Sequence, residues 1–241
     1  MGRPGALFVV TLATATLLLG ACGGGAALTS STTPAAPTPA PATSAPATAT
    51  PAATAAPSAG GVTWTITSAS KATVSVREQL VGVSLPSDAV LTTTGATGTF
   101  QLKVDGTFTS DSKITFDLTT LASDNRDRDN FIKQDTLQVR QFPKAELVPT
   151  KTSGLTVPLA TSGTFTFRLT GNMTVHGKTK EVTFDVVAKR NGSDLTATAT
   201  LAPAVRFADF GMTAPSVAFR VVSIVDEIRL VVELVATGPA A

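Results

Sequence analysis

The chain has 241 residues, 43% of them hydrophobic and only 15% charged, and its 19 basic and 17 acidic side chains nearly cancel to a formal +2. It has no basic block and no interleaving of aromatic with basic residues, which leaves no footprint for a nucleic-acid partner. A single Cys excludes an intrachain disulfide, and one Cys with one His falls short of the three or four nitrogen and sulfur ligands that a zinc site wants. A carboxylate-only calcium site stays open, although no Asp-x-Asp-x-Asp-Gly loop is present. Neutral polarity comes instead from Thr and Ser, in runs such as Thr92-Thr-Thr94, and β-branched Thr leans the composition toward strands.

Residues 1–21 read as a signal peptide: Arg3 is the sole charge ahead of a short apolar run ending Leu17-Leu-Leu-Gly-Ala21. Leu19-Gly20-Ala21-Cys22 fits the bacterial lipobox, in which cleavage frees Cys22 for acylation. The expectation is a lipoprotein held on the extracytoplasmic face of a bacterial membrane through acyl chains on Cys22, since one chain alone binds only marginally. Residues 22–61 follow as a tract of Ala, Pro, Thr and Ser with no charge and one bulky apolar residue, Leu28. Such a tract cannot offset its ordering entropy and reads as a disordered linker. At about 3.1 Å per residue when extended, it spans roughly 100 Å.

From residue 62 to 241 the pattern changes to period-two alternation, the mark of half-buried strands. Val62-Thr-Trp-Thr-Ile66 and Ala72-Thr-Val-Ser-Val76 alternate, residues 77–97 are less regular, and Phe100, Leu102 and Val104 then share a face. An Asp105-Gly106 turn pair leads toward Ile114, Phe116 and Leu118. A densely charged stretch, Ser123-Asp-Asn-Arg-Asp-Arg-Asp-Asn130, precedes Phe131, Ile132, Leu137 and Val139 at helix-like spacing and predicts one short helical insertion near 124–140. Ala145-Glu-Leu-Val148 predicts a strand and 150–160 a loop.

Phe165, Phe167 and Leu169 lie on one face of the next run, which continues through Met173 to Val175. His176-Gly177-Lys178 supplies a tight turn, and Val182, Phe184 and Val186 resume the alternation, giving a long hairpin. Leu195 to Leu201 alternates with Thr, and two further strands, Val217-Ala-Phe-Arg-Val221 (with Phe219) and Val225 to Val235, close the pattern. About eight or more regularly spaced strands with one short helix indicate an all-β sandwich or closed barrel.

Thr-Val-His-Gly-Lys-Thr-Lys-Glu-Val, Thr174 to Val182, resembles the turn signature of the YceI-like proteins, lipocalin-like barrels that bind polyisoprenoids. Other segments resemble the same family in order: Trp64-Thr-Ile66 with Ser70-Lys-Ala72, Gly98-Thr-Phe100, Arg128-Asp129 with Phe142-Pro143, and Arg206-Phe-Ala-Asp209-Phe210-Gly211. Thr67 replaces the family's Asp, no His precedes Ser70, and Phe131 stands where many members carry His. The resemblance spans roughly 62–236 and implies an antiparallel up-and-down β-barrel of about eight strands.

The resemblance also implies a ligand, a long isoprenoid-type lipid such as a polyprenyl phosphate or an isoprenoid quinone, and no other cofactor. The lining residues expected are Phe100, Leu102, Phe116, Phe165, Phe167, Met173, Phe184 and Phe219, each of which serves equally well in a packed core. Arg128 and Lys180 are the candidates for meeting an anionic head group. The competing class is a ligand-free envelope module with a filled barrel that acts through surface contacts. An enzyme is the least supported class. Paired Asp residues around Arg128 read as a capped helix start, and the lone His176 has no Gly-x-Ser-x-Gly elbow to serve.

Overall fold

The structure, a computed structural model, describes residues 61–216 and 221–239. Ten strands form a single antiparallel sheet: β1 (Thr63–Ile66), β2 (Lys71–Leu80), β3 (Ser87–Thr93), β4 (Thr97–Gln101), β5 (Lys113–Asp117), β6 (Lys144–Ser153), β7 (Ser162–Val175), β8 (Lys178–Asn191), β9 (Asp194–Leu201) and β10 (Val221–Thr237). The order β1-β4-β5-β6-β7-β8-β9-β10 closes on itself through a β1–β10 pairing, making a ring of eight, and the β2–β3 hairpin adds to β10 beyond β1. The expected all-β, up-and-down barrel is what the chain adopts. Short helix α1 (Arg126–Phe131) runs into a π-helical turn, Ile132–Thr136, within the stretch that predicted an insertion.

Alternation sets which face is buried. Along β8, Val182, Phe184, Val186, Ala188 and Arg190 point inward while their neighbours are exposed or half-buried. β7 and β8 stay in register from Val175–Lys178 to Ser162–Asn191. His176 (φ +50°) and Gly177 (φ +70°) turn the chain between them, and left-handed conformation at both central residues matches the twist of a two-residue hairpin. A Cβ on Gly177 would lie 2.7 Å from the Phe142 ring, so glycine serves both the turn and the packing.

The ring closes where β1 gives way to β2. Ser70, fully buried, donates from Oγ to the Val235 carbonyl (3.1 Å) and accepts from the Val235 N–H (2.8 Å), replacing a ladder pair lost at the bend. Thr67 adds its own N–H (2.8 Å) and Oγ1 (3.1 Å) to the same carbonyl.

Three local expectations change. The irregular stretch after Arg77 contains the end of β2 and all of β3, which places Ala89, Leu91 and Thr93 inward although the turn-like Pro86-Ser-Asp88 runs into its start. β6 continues through Pro149 to Ser153 because a bulge between Pro149 and Lys151 accommodates the missing donor. The last strand starts at Val221 rather than Val225, and a bulge between Ile224 and Ile228 breaks its alternation without breaking the strand. Residues 217–220 lie outside the described residues.

Replacing Ser70 with Ala leaves the buried Val235 N–H without an acceptor. It is expected to destabilise the domain by about 1–3 kcal/mol, measured by urea denaturation.

Candidate functional site

The inner face of the ring and of the adjoining β2–β3 hairpin combines bulky residues with small ones, among them Ala72, Ala89, Ala145, Ala197 and Ala199, and leaves a cavity of about 520 Å³. That size lies within the range of small-molecule sites. Its wall is apolar almost throughout, with Phe116, Phe184, Leu201, Phe210 and Val232 typical of it.

The end away from the β7–β8 turn is shut. Trp64 stacks on Phe100 (centroids 6.5 Å, 17° between planes), and the guanidinium of Arg190 lies 5.0 Å from the Trp64 ring. Buried Arg190 donates to the carbonyls of Gly192 (3.0 Å), Leu159 (3.1 Å) and Ala160 (3.2 Å), so its burial is matched by hydrogen bonds and a π-face. A separate void of about 50 Å³ sits here between Trp64, Phe100, Leu102 and Phe108.

At the opposite end the lining turns polar and reaches solvent through exposed Asn125 and Asp127. The Asn125 side chain caps α1, accepting from the N–H groups of Asp127 (3.0 Å) and Arg128 (3.1 Å), and so fixes where Arg128 projects. Arg128 spans two carboxylates, reaching Glu78 at 2.9 Å and Asp124 at 2.8 Å. Glu78 is buried on β2, whereas Asp124 is largely exposed. Asp129 turns away and accepts from the N–H (2.8 Å) and Oγ (2.6 Å) of Ser123, which makes it a structural brace for the helix start.

Of the expected lining residues, Phe100, Phe116, Phe167, Met173 and Phe184 meet at the cavity. Leu102 belongs to the small void at the shut end. Phe165 lines neither space: its ring folds back over Gly163, where an added Cβ would touch it at 3.5 Å. Phe219 and Cys22 lie outside the described residues. Arg128 lines the cavity but Lys180 does not. Lys180 continues the inward row of β8 near its start and pairs with Asp209 at 2.6 Å.

The Ala residues, Leu121, Ile132, Phe207 and Met212 were missing from the expected lining, which had favoured Phe. An alternation of Ala with Thr in β9 was the available signal of a hollow wall. His176 does not line the cavity. Its Nδ1 donates to the Phe210 carbonyl (3.3 Å) and its ring meets Phe142 edge-on at 4.7 Å, which ties the hairpin turn to the loops at this end.

A YceI-like domain model matches residues 64–236. The chain belongs to the YceI-like family. UPF0312 proteins of Pseudomonas putida strains GB-1 and W619 are each 36% identical to it over 135 residues, 49% of this chain and 64% of theirs, so the chain spans a little under two thirds of those relatives. A polyisoprenoid binding domain from Saccharophagus degradans, implicated in plant cell wall breakdown, superposes with a TM-score of 0.56 at 10% identity, over 73% of this chain and 98% of that one. BcnA of Burkholderia cenocepacia gives 0.50 at 18% identity, over 71% and 99%. At these identities the likeness establishes the shared barrel.

The Asp209 carboxylate accepts from Lys180 and from the Arg206 N–H (2.8 Å), and these bonds hold its pKa below the usual aspartate value. A depressed folded-state pKa contributes stability above the unfolded pKa that is lost as pH falls through the folded one. Asp209→Asn is therefore expected to be less stable than the parent near neutral pH. The gap should close as the parent's carboxylate is protonated in acid, in thermal melts across that range.

Proposed function

We propose that this protein holds or carries a long-chain isoprenoid-type lipid in its barrel, anchored by acylated Cys22 on the extracytoplasmic side of a bacterial membrane. The observation that supports this reading is the cavity itself: an apolar chamber shut at one end and polar at its solvent end. A flexible hydrocarbon chain placed there gains about 25 cal/mol for each Å² removed from water, and its head group meets Asn125, Asp127 and Arg128. Hydrophobic contact and one paired cation supply what binding needs.

The charges favour one head-group class over the other. Arg128 is already engaged by Glu78 and Asp124, and Lys180 by Asp209. A phosphate placed at Arg128 would sit beside the buried Glu78 carboxylate, and like charges that close repel strongly in a poorly solvated site. A neutral head group that accepts hydrogen bonds avoids this cost, so an isoprenoid quinone fits better than a polyprenyl phosphate.

Native mass spectrometry of the purified full chain, followed by organic extraction, is the direct test; a discrete neutral isoprenoid mass is expected. An apo mass that refuses both added quinone and polyprenyl phosphate would sink the reading in favour of a surface-acting module. A second test fills the chamber. The ring of Ala199→Phe removes roughly 55 Å² of ligand contact, which at about 25 cal/mol per Å² lowers lipid affinity about tenfold. The melting temperature should change little, because the ring enters existing space.

A further inference from the structure

Eight large apolar side chains are strongly exposed among the described residues, and five of them sit together at one end of the barrel. Val81, Val83 and Leu85 (74% exposed) form the tip of the β2–β3 hairpin, and Val222 and Val225 lie on the adjoining start of β10. Val221 pairs directly with Leu80, which brings the two groups into one surface. Gln79 stiffens the tip by donating from Nε2 to the carbonyls of Leu80 (3.3 Å) and Val83. The tip is thus held in place while presenting its valines and leucine to water.

We infer that this lip docks the barrel onto the surface of a lipid bilayer, with the cavity mouth facing it. Three observations point to a membrane as the occupant. First, the lip is continuous with the cavity: Leu80, Val221 and Ile224 line the chamber and are chain neighbours of the exposed Val81, Val222 and Val225, and Val221 is the ladder partner of Leu80. Second, it carries no charge, since residues 79–87 and 221–225 contain no Asp, Glu, Lys or Arg. Third, the charges on β2 and β3 behind the hairpin tip are paired, Asp88 with Arg77 (3.3 Å) and Arg229 (2.8 Å), and Glu78 with Arg128, while exposed Asp226 and Glu227 follow Val225 and bound the patch on the β10 side. The tip itself offers no charge to a protein partner recognised by charge, whereas the acyl region of a bilayer accepts an uncharged apolar wedge.

The inference rests on the reading of the cavity as a lipid site and adds its loading route. A prenyl chain moving between bilayer and chamber would otherwise cross water, and the lip against the membrane removes that gap. The first described residue, Gly61, lies at the shut end, where its carbonyl accepts from Gln101 Nε2 (2.5 Å). Lip and chain lead-in therefore occupy opposite ends, and a linker of the length read from residues 22–61 permits the lip to face the same membrane.

The test uses the full chain carrying Cys22→Ser, so that no acyl group contributes, sedimented with phosphatidylcholine vesicles. Partitioning to the vesicles is expected, insensitive to added salt. It should fall at least about tenfold when Val81→Ser, Leu85→Ser and Val222→Ser are combined, with an unchanged circular dichroism spectrum. A second reporter is Leu85→Trp, whose emission should shift to the blue on adding vesicles above a constant background from buried Trp64. Parent Cys22→Ser protein that stays in the supernatant, equal partitioning of the triple variant, or no shift for Leu85→Trp would overturn the inference. So would a dimer that the triple variant dissolves without any vesicle binding, which would make the lip a self-association surface. Vesicle binding by protein that extracts with no lipid and takes up none would keep the docking surface and remove the carrier reading instead.

Discussion

Ring closure is the constraint on which the rest depends, and it passes through a few atoms around Val235. A barrel shelters a chamber only if no edge is open, because an unpaired edge inside an apolar space leaves N–H and C=O groups without partners. β10 must therefore hold β9 along one side and both β1 and β2 along the other. The bend between β1 and β2 is the weak point, and there Ser70 and Thr67 supply by side chain what the ladder drops. Because β1 continues as β2 and β4 follows β3, the same bend throws the β2–β3 hairpin outward past the rim. Closure and the projecting lip are consequences of one backbone feature.

Once the ring is fixed, wall volume decides whether the interior is core or chamber. With about eight strands the interior is either filled or just wide enough for a ligand. Ala at 72, 89, 145, 197 and 199 withholds side-chain volume in the middle, while Trp64, Phe100 and Arg190 supply it at one end. The result is directional, with a plug at one end and a hollow above it. Arg190 is tolerated in that plug because three carbonyls and an aromatic face meet its charge. A neutral residue there would leave those carbonyls to find other donors.

Much of the fold was legible because alternation reports burial directly: the long β7–β8 hairpin, its His176-Gly177 turn and the helical insertion stand where period and turn chemistry put them. The failures share a cause. Pro86 before β3, Pro149 within β6 and the irregular 225–227 stretch within β10 each interrupt alternation, and at two of the three a bulge lets the strand continue. At the site, side-chain size misled the reading. Large aromatics draw attention as candidate lining, yet Phe165 turns to Gly163, and the alanines that create the space are inconspicuous in a Thr/Ala-rich sequence. Arg128 was legible as a charge near the mouth. Its partner Glu78, fifty residues away, was not, because only the ring closure brings β2 beside α1.

That pairing gives the two ends of the chamber different chemistry from similar parts. At the shut end Arg190 meets neutral acceptors, so its charge is spread over carbonyls and a π-face and the site keeps a positive character sealed from solvent. At the open end Arg128 meets two carboxylates, one buried and one exposed, and the local charge is cancelled or slightly reversed. Among the lining residues at that end, the one cation, Arg128, is compensated, and apolar wall follows at once. Beside these polar groups, the exposed apolar side chains of the lip stand at the same end. Electrostatics therefore selects against anions at the mouth, and hydrophobic contact governs what approaches it. Both follow from which side chains stand at the open end, Arg128 with its two carboxylates and the apolar tip of the β2–β3 hairpin.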